Sequence, residues 1–419
     1  MKNTLVETWF SLRGNPRACV WTEPLWGLSM NLCLPYSSVY MSALGLADSE
    51  IGLIATIYTL SQAVFAFLSG PITDKLGRRK TTAVFDFFAW SVPCLIWVMA
   101  DNFWFFLIAA ICNGAMKVPT NSWDCLMVED AEKSQITRIY ALAVACGHLS
   151  ALFAPISSLL VAKLTLIPAV RILYINAFAI MTAKLLILYR CSRETKTGVI
   201  RMRETKGKSV FSLALGYGGV LRLMRASPGT VFSLGIAGIA AAATMINAAF
   251  WQIIVSRKLE VPDSLLPLLP MFRSAIALLF FFTVIPRLTR GGLRNPLLLG
   301  FGTYLIGQVL LVLTPARNIG LYPMLCVSMI FDGFGAGLLA MIAESLVALH
   351  VNAADRARVM AIQHMVIMAG VSPFGWISGK LSGVSRDLPF ALTAVLLFAG
   401  IALTARFYVK ASAAQETAD

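Results

Sequence analysis

The sequence predicts an all-α integral membrane protein, with twelve transmembrane helices in two pseudo-symmetric six-helix bundles. Three observations carry that expectation. Of the 419 residues 58% are hydrophobic and only 13% charged, and mean hydropathy is +0.75, which is too much apolar surface for a water-soluble globule. The apolar residues fall in runs close to the roughly 20 residues that cross a bilayer as a helix. The charges fall between the runs, in short segments that cannot lie in hydrocarbon.

In chain order, runs bounded by charge, Gly or Pro cover 18–44, 50–72, 81–100, 103–128, 138–163, 168–190, 229–252, 264–286, 296–314, 319–349, 357–378 and 388–410. The first follows a polar segment and continues to about Leu44, longer than the apolar core of a cleavable leader, so it is expected to stay in the protein. Spans two and three flank a burst of charge, Gly70-Pro-Ile-Thr-Asp-Lys-Leu-Gly-Arg-Arg-Lys80. Spans four and five are joined through Glu129, Asp130 and Arg138. After span six comes the one long connection, 191–228, basic up to Lys208 and apolar around Val210–Leu223. It reads either as a solvated tether or as an amphipathic helix on the membrane surface. It divides the chain into bundles at 1–190 and 229–419.

An even number of spans places both termini on one side. The loops on that side hold 25 of the 35 Lys and Arg, the opposite loops hold 7, and cations mark the cytoplasmic face. Both termini are therefore expected in the cytoplasm, with the chain multi-pass in the cell membrane. The net charge of +14 is dispersed over these loops, so nucleic acid is not an expected partner. Eight cysteines without paired spacing and no ligand cluster of suitable spacing leave no expected metal or other cofactor. A membrane enzyme would need a nucleophile or an acid–base pair converging at an interface, and no such set stands out.

The two halves share punctuation. Asn113-Gly114 precedes Asp332-Gly333 by 219 residues, Asp124 precedes Glu344 by 220, and Arg138 precedes Arg358 by 220. Pro71, Gly77 and Arg79 precede Pro286, Gly292 and Arg294 by 215, with Thr289 where the first copy has Asp74. Such duplication suits a transporter whose halves rock about a site near the midplane.

At Gly70–Lys80 the residues resemble the signature loop of the major facilitator superfamily, and the span layout, the central basic linker and the eroded second copy extend that resemblance over nearly the whole chain. Residues 44–52, Leu-Gly-Leu-Ala-Asp-Ser-Glu-Ile-Gly, resemble a short outer loop of the branch containing drug:proton antiporters. Two positions depart from that branch: Ala110 where it has an Arg in span four, and Ala154-Pro155 followed by Ile-Ser-Ser where it has a Gly-Pro-rich signature in span five. The resemblance implies a latch built from Gly70, Asp74, Gly77 and Arg78, in which Asp74 meets the start of span eleven and Arg78 pairs with Glu129 or Asp130. It also implies a central cavity lined by spans one, four, seven and ten.

Ionisable groups inside a bilayer are costly, so each is a functional candidate. Asn113, Lys117, Asn121 and Asp124 are spaced by 4, 4 and 3, one face of a helix. Lys117 is expected either at the solute or in a salt bridge with Asp332. Arg273 lies within an apolar run, where a guanidinium needs an acid or an anionic ligand. Solute contacts are thus expected at Asn31, Tyr36, Lys117, Asn121, Asn247, Arg273 and Asp332. Proton coupling needs a group that changes charge as the bundles move, and Glu23, Asp124, Asp332 and Glu344 are the candidates. Glu23 reads equally as a capping acid near the cytoplasmic end. The expected function is a proton-coupled secondary transporter of a small organic solute working by alternating access, monomeric, with protons and the lipid bilayer as its other partners. Drug or metabolite efflux by antiport stays open beside import, and a transport-dead receptor or assembly factor is the remote alternative.

Overall fold

The computed structural model describes residues 5–132, 135–215, 228–283, 293–349 and 356–416. All regular structure among these is helical. The first half runs α1 (Leu5–Ser11), α2 (Gly14–Cys33), α3 (Ser37–Ala43), α4 (Asp48–Leu76), α5 (Arg78–Asp86), α6 (Val92–Met99), α7 (Phe103–Gly114), α8 (Lys117–Val128), α9 (Ile136–Ser150), α10 (Ala154–Leu164) and α11 (Leu166–Cys191). Two short helices follow, α12 (Lys196–Glu204) and α13 (Val210–Leu215). The second half runs α14 (Pro228–Ile253), α15 (Leu268–Thr283), α16 (Arg294–Leu313), α17 (Leu321–Leu349), α18 (Arg356–Val371), α19 (Pro373–Val384) and α20 (Leu388–Glu416).

Nine helical stretches among the described residues are long and apolar enough to cross a membrane. The other three expected spans fall where the helix is interrupted or runs out of description. Span one breaks at a 3-10 turn, Leu34–Tyr36, because Pro35 has no N–H for a continuing ladder. Span eight is α15, which reaches residues 284–292, outside the described residues. That segment also holds Pro286, Thr289 and Gly292 of the eroded loop copy. Span eleven breaks at Ser372, before Pro373.

Span four is also interrupted, which the even polar spacing did not anticipate. Ala115 and Met116 bond back three residues, to Cys112 and Asn113, and Val118 bonds to Ala115. Pro119 lacks the N–H that would reach Ala115, so the turn tightens there. The polar residues consequently sit on two helices, and Asn113 turns to donate to the Ala89 carbonyl at 2.6 Å, within the π-helical segment Phe87–Ser91.

The chain divides into two compact units: Met1–Gly45, Ile57–Tyr217 and Asp263–Leu268 in the first, Leu46–Thr56, Gly218–Pro262 and Leu269–Asp419 in the second. The first unit centres on buried Cys19, Val20, Leu126, Met127, Ile139 and Leu188, from α2, α8, α9 and α11. The second centres on Ile236, Leu297, Phe301, Leu338, Leu339 and Leu397, from α14, α16, α17 and α20. Large apolar side chains also face outward, among them Leu159, Leu186, Val395 and Phe398, as a lipid environment requires. In lipid, helices associate through close packing rather than through the hydrophobic effect. Glycines permit that packing between α16 and α17: a Cβ on Gly335 would lie 2.4 Å from the Tyr304 backbone nitrogen, and one on Gly307 would lie 2.6 Å from that of Asp332.

Candidate functional site

The charged loop lies at the end of α4. The helix continues through Leu76, so Asp74 stands in its last turn, and Gly77 makes the corner with φ +82°. A side chain there would be strained, and its Cβ would meet the Glu194 carboxylate at 2.5 Å. Arg78, 4% exposed, reaches Asp74 at 3.0 Å and Glu129 at 3.0 Å, with its Nε donating to both Glu129 oxygens. Asp130 accepts from the Lys196 backbone nitrogen at 3.4 Å. Gly70 is half-buried within α4. The expected meeting of Asp74 with the start of span eleven falls on side chains outside the described residues.

Residues 193–208 of the linker are packed against the first unit, which the tether alternative does not describe. Glu194 accepts from the backbone nitrogens of Arg78 and Arg79 at 2.9 and 3.0 Å. These N–H groups open α5, whose own N-cap, Gly77, offers no side chain, so the carboxylate supplies the missing cap and matches the positive end of the helix. The Thr195 hydroxyl donates to Glu129, Asn15 exchanges two hydrogen bonds with the Arg193 backbone, Thr205 donates to the Asp74 carbonyl at 3.3 Å and Lys75 to that of Lys208 at 2.8 Å. Farther along, α13 begins at Val210, and residues 216–227 lie outside the described residues.

Deeper in the first unit, Lys184 on α11 pairs with Asp86 on α5 at 2.9 Å, with side-chain exposures of 4% and 8%. Glu23 on α2 is half-buried, within electrostatic range of Lys184, Asp86 and Asp124. Asn31 donates to the carbonyls of Gly27 and Gly147 at 2.8 and 3.2 Å, tying α2 to α9. Tyr36 is fully enclosed. Asn121 donates to the Thr73 hydroxyl at 3.4 Å, and Lys117 opens α8, half-buried.

In the second unit four helices converge on Asp332, which is 2% exposed. Arg273 on α15 pairs with its Oδ2 at 2.9 Å. Gln308 on α16 donates to its Oδ1 at 2.8 Å. Asn247 on α14 donates to the Gln308 side-chain amide oxygen, Oε1, at 3.3 Å and to the Tyr304 hydroxyl at 2.9 Å. Gly307 lets the α16 backbone approach Asp332, and a Cβ on Gly333 would press on the Arg273 Cγ at 3.3 Å. Asp332 is paired with Arg273 in its own unit, the α15 face carrying Arg273 packing directly on Gly333. The α17 helix includes Glu344, whose side chain is outside the described residues.

Sequence reasoning missed Glu194, Thr195, Lys184, Tyr304 and Gln308 as members of these sites. Gln308 carried a usable signal, an amide in the middle of the apolar run of α16 directly after a glycine. Lys184 carried one too, a cation within the apolar run of span six, six residues from its inner end.

Residues 25–239, just over half of the chain, match the family model of the Major Facilitator Superfamily. Over 87 residues the chain is 28% identical to the quinolone resistance protein NorA of Staphylococcus aureus, a match covering 21% of this chain and 22% of the relative. Among solved structures, the nucleoside transporter NupG superposes with TM-score 0.70 at 15% identity over 93% of this chain and 98% of its own. The peptide transporter POT in complex with sulfate superposes with TM-score 0.69 at 14% identity over 96% and 95%. At these identities the structural likenesses speak for the fold.

Proposed function

This chain belongs to the Major Facilitator Superfamily, and from that premise we propose that it is a proton-coupled secondary transporter, monomeric, moving a small organic solute across the cell membrane by alternating access. The interrupted segments 14–43, 268–283 and 356–384 complete twelve spans, six in 1–190 and six in 229–419, joined by the linker 191–228. Both termini lie in the cytoplasm.

The observation that carries the reading is the Arg273–Asp332 pair, 2.9 Å apart inside an apolar helical unit. An isolated charge in hydrocarbon is expensive, and a pair is tolerated because each member neutralises the other. When Asp332 takes a proton its charge is lost, and Arg273 becomes free to hold an anionic group. An anionic solute and a proton therefore enter the site together, which couples them in the same direction. A cationic solute displaces the proton from Asp332 instead and couples in opposition. Import and efflux thus follow from the charge of the solute, and the partial likeness to a quinolone resistance protein favours efflux as the second reading. The further solute contacts we propose are Asn247 in the second unit and, taken by itself, the set Asn31, Lys117 and Asn121 in the first; Tyr36, fully enclosed, is not among them. Glu23, Asp124 and Glu344 are secondary proton carriers.

Purified protein in proteoliposomes tests this with a panel of anionic, cationic and neutral solutes under an imposed pH gradient. We expect gradient-driven accumulation of at least one solute, reduced about tenfold or more in Asp332→Asn, within the range of a coupling free energy of ~1–3 kcal/mol. For an anionic solute, exchange without a gradient should persist in the variant; for a cationic one, which Asp332 itself would hold, exchange should fall as well. Full gradient-driven accumulation by Asp332→Asn defeats the assignment.

A further inference from the structure

The polar network around Asp332 has a direction. Asn247 Nδ2 donates to Gln308 Oε1 at 3.3 Å and Gln308 Nε2 donates to Asp332 Oδ1 at 2.8 Å. Each amide thus points its donors toward the carboxylate, the arrangement an ionised, acceptor-only Asp332 demands. Asn247, Gln308 and Asp332 are 4%, 1% and 2% exposed, so their hydrogen bonds to one another do not compete with bulk water. The far end of the chain shows the consequence: Asn247 Oδ1 is buried with no hydrogen-bond partner, a costly state for an amide oxygen.

We propose that Gln308 and Asn247 form a reversible amide relay that carries the protonation state of Asp332 from α17 through α16 to α14. The inference rests on the reading of Asp332 as the proton carrier. A proton on Asp332 Oδ1 turns that atom into a donor facing the donor Nε2 of Gln308. Rotating the Gln308 amide by half a turn brings Oε1 to the new O–H and Nε2 toward Asn247. Asn247 must then turn as well, and its orphaned Oδ1 receives Gln308 Nε2. The Tyr304 hydroxyl, now an acceptor from Asn247 Nδ2 at 2.9 Å, donates to the same oxygen in the turned state, as a hydroxyl is able to do. The relay inverts by side-chain rotation alone. On α14 its outcome is chemical: with Asp332 ionised the unsatisfied group of Asn247 is an acceptor, and with Asp332 protonated it is an N–H donor.

Among the described residues the charged group facing Asp332 is Arg273 on α15, beside the titratable hydroxyl of Tyr304 and the amide of Gln308 on α16 and the amide of Asn247 on α14. Arg273 acts on Oδ2, away from the relay at Oδ1. Proton uptake therefore alters both ends of the carboxylate, releasing a cation at one and reversing a hydrogen-bond chain at the other. Gln308 is on this account a positioning residue.

Infrared difference spectroscopy on the full chain in liposomes, acid minus neutral, with isotopically labelled Gln and Asn side-chain amides, tests the relay. We expect a protonated-carboxyl band that disappears in Asp332→Asn, accompanied by shifts of labelled Gln and Asn amide bands. In Gln308→Met and Gln308→Leu, which remove the amide at similar volume, the carboxyl band should persist and the Asn247 response, identified by its loss in Asn247→Leu, should vanish. A carboxyl band with unmoved amide bands overturns the relay alone. The relay also fails if Asn247 still responds when Gln308 is replaced. Absence of any Asp332 band across the pH range in which the protein stays folded overturns the proton-carrier reading and the relay with it. Where neither Gln308 variant folds, the labelled amide bands of the unaltered protein decide.

Discussion

The buried pair Lys184–Asp86 shows how much a single residue's role depends on a partner far along the chain. Both charges are visible in the sequence, one toward the inner end of span six and one near the start of span three. Their pairing is not, because it joins residues 98 positions apart and depends on how two helices rotate about their axes. The same limit explains Asp332, whose partner on α15 no local spacing indicates. With exposures of 4% and 8%, neither charge of the first-unit pair has water to fall back on. Removing one partner of such a pair costs about 3–5 kcal/mol, whereas replacing both by apolar residues is often neutral. Asp86→Leu should therefore lower the melting temperature of the detergent-solubilised protein strongly, and adding Lys184→Met should recover most of the loss. A double variant as unstable as the single one would remove the pair as the cause.

Element by element, the apolar runs were legible because hydrocarbon demands length and composition, while the breaks within them were not. Ala115–Met116 and Ser372 interrupt spans that composition treats as continuous, and in each case a proline a few residues on supplies the reason. The clearest use of such a break is at α19. Its start leaves the Trp376 N–H to the Thr56 hydroxyl at 2.8 Å, and Ser382 donates to Asp48 at 2.6 Å. Between these ties α4 and α19 meet backbone to backbone: a Cβ on Gly375 would lie 2.7 Å from Thr56 Oγ1 and 2.8 Å from the Gly52 carbonyl oxygen, and one on Gly379 would lie 2.7 Å from the Asp48 carbonyl oxygen. Gly383, on the same helix, has open space around it. Overpacking a close contact costs about 1–3 kcal/mol. Gly375→Ala should accordingly destabilise the solubilised protein while Gly383→Ala does not, as read from the two unfolding midpoints. Equal midpoints would mean that the helix contact yields without cost.

For the whole molecule, the family was legible from one loop, and its cargo was not, because the loop is part of the shared machinery. The sequence also hid how the loop is held. The segment after α11 reads as basic and polar, the composition of a tether, yet residues 193–208 supply the cap of α5 and a second partner for Glu129. That makes this part of the linker a folded component of the first unit rather than slack between halves. The consequence is measurable at the exposed cations Arg201, Arg203, Lys206 and Lys208. They are open to trypsin at the surface, but cleavage requires an extended backbone, which the helix Lys196–Glu204 and its ties to the loop withhold. Glu194→Ala deletes the two hydrogen bonds that α5 makes to this charged acceptor, each contributing about 1.5–3 kcal/mol, and leaves the N–H groups of α5 uncapped. Cleavage at these four positions should then quicken, by about tenfold for each 1.4 kcal/mol lost when opening is rapid relative to cutting. The conservative Glu194→Gln, which keeps an acceptor oxygen but not the charge, should fall between. If cleavage of Glu194→Ala proceeds at the rate of the unaltered protein, the linker is held by other contacts, and the loop does not depend on it.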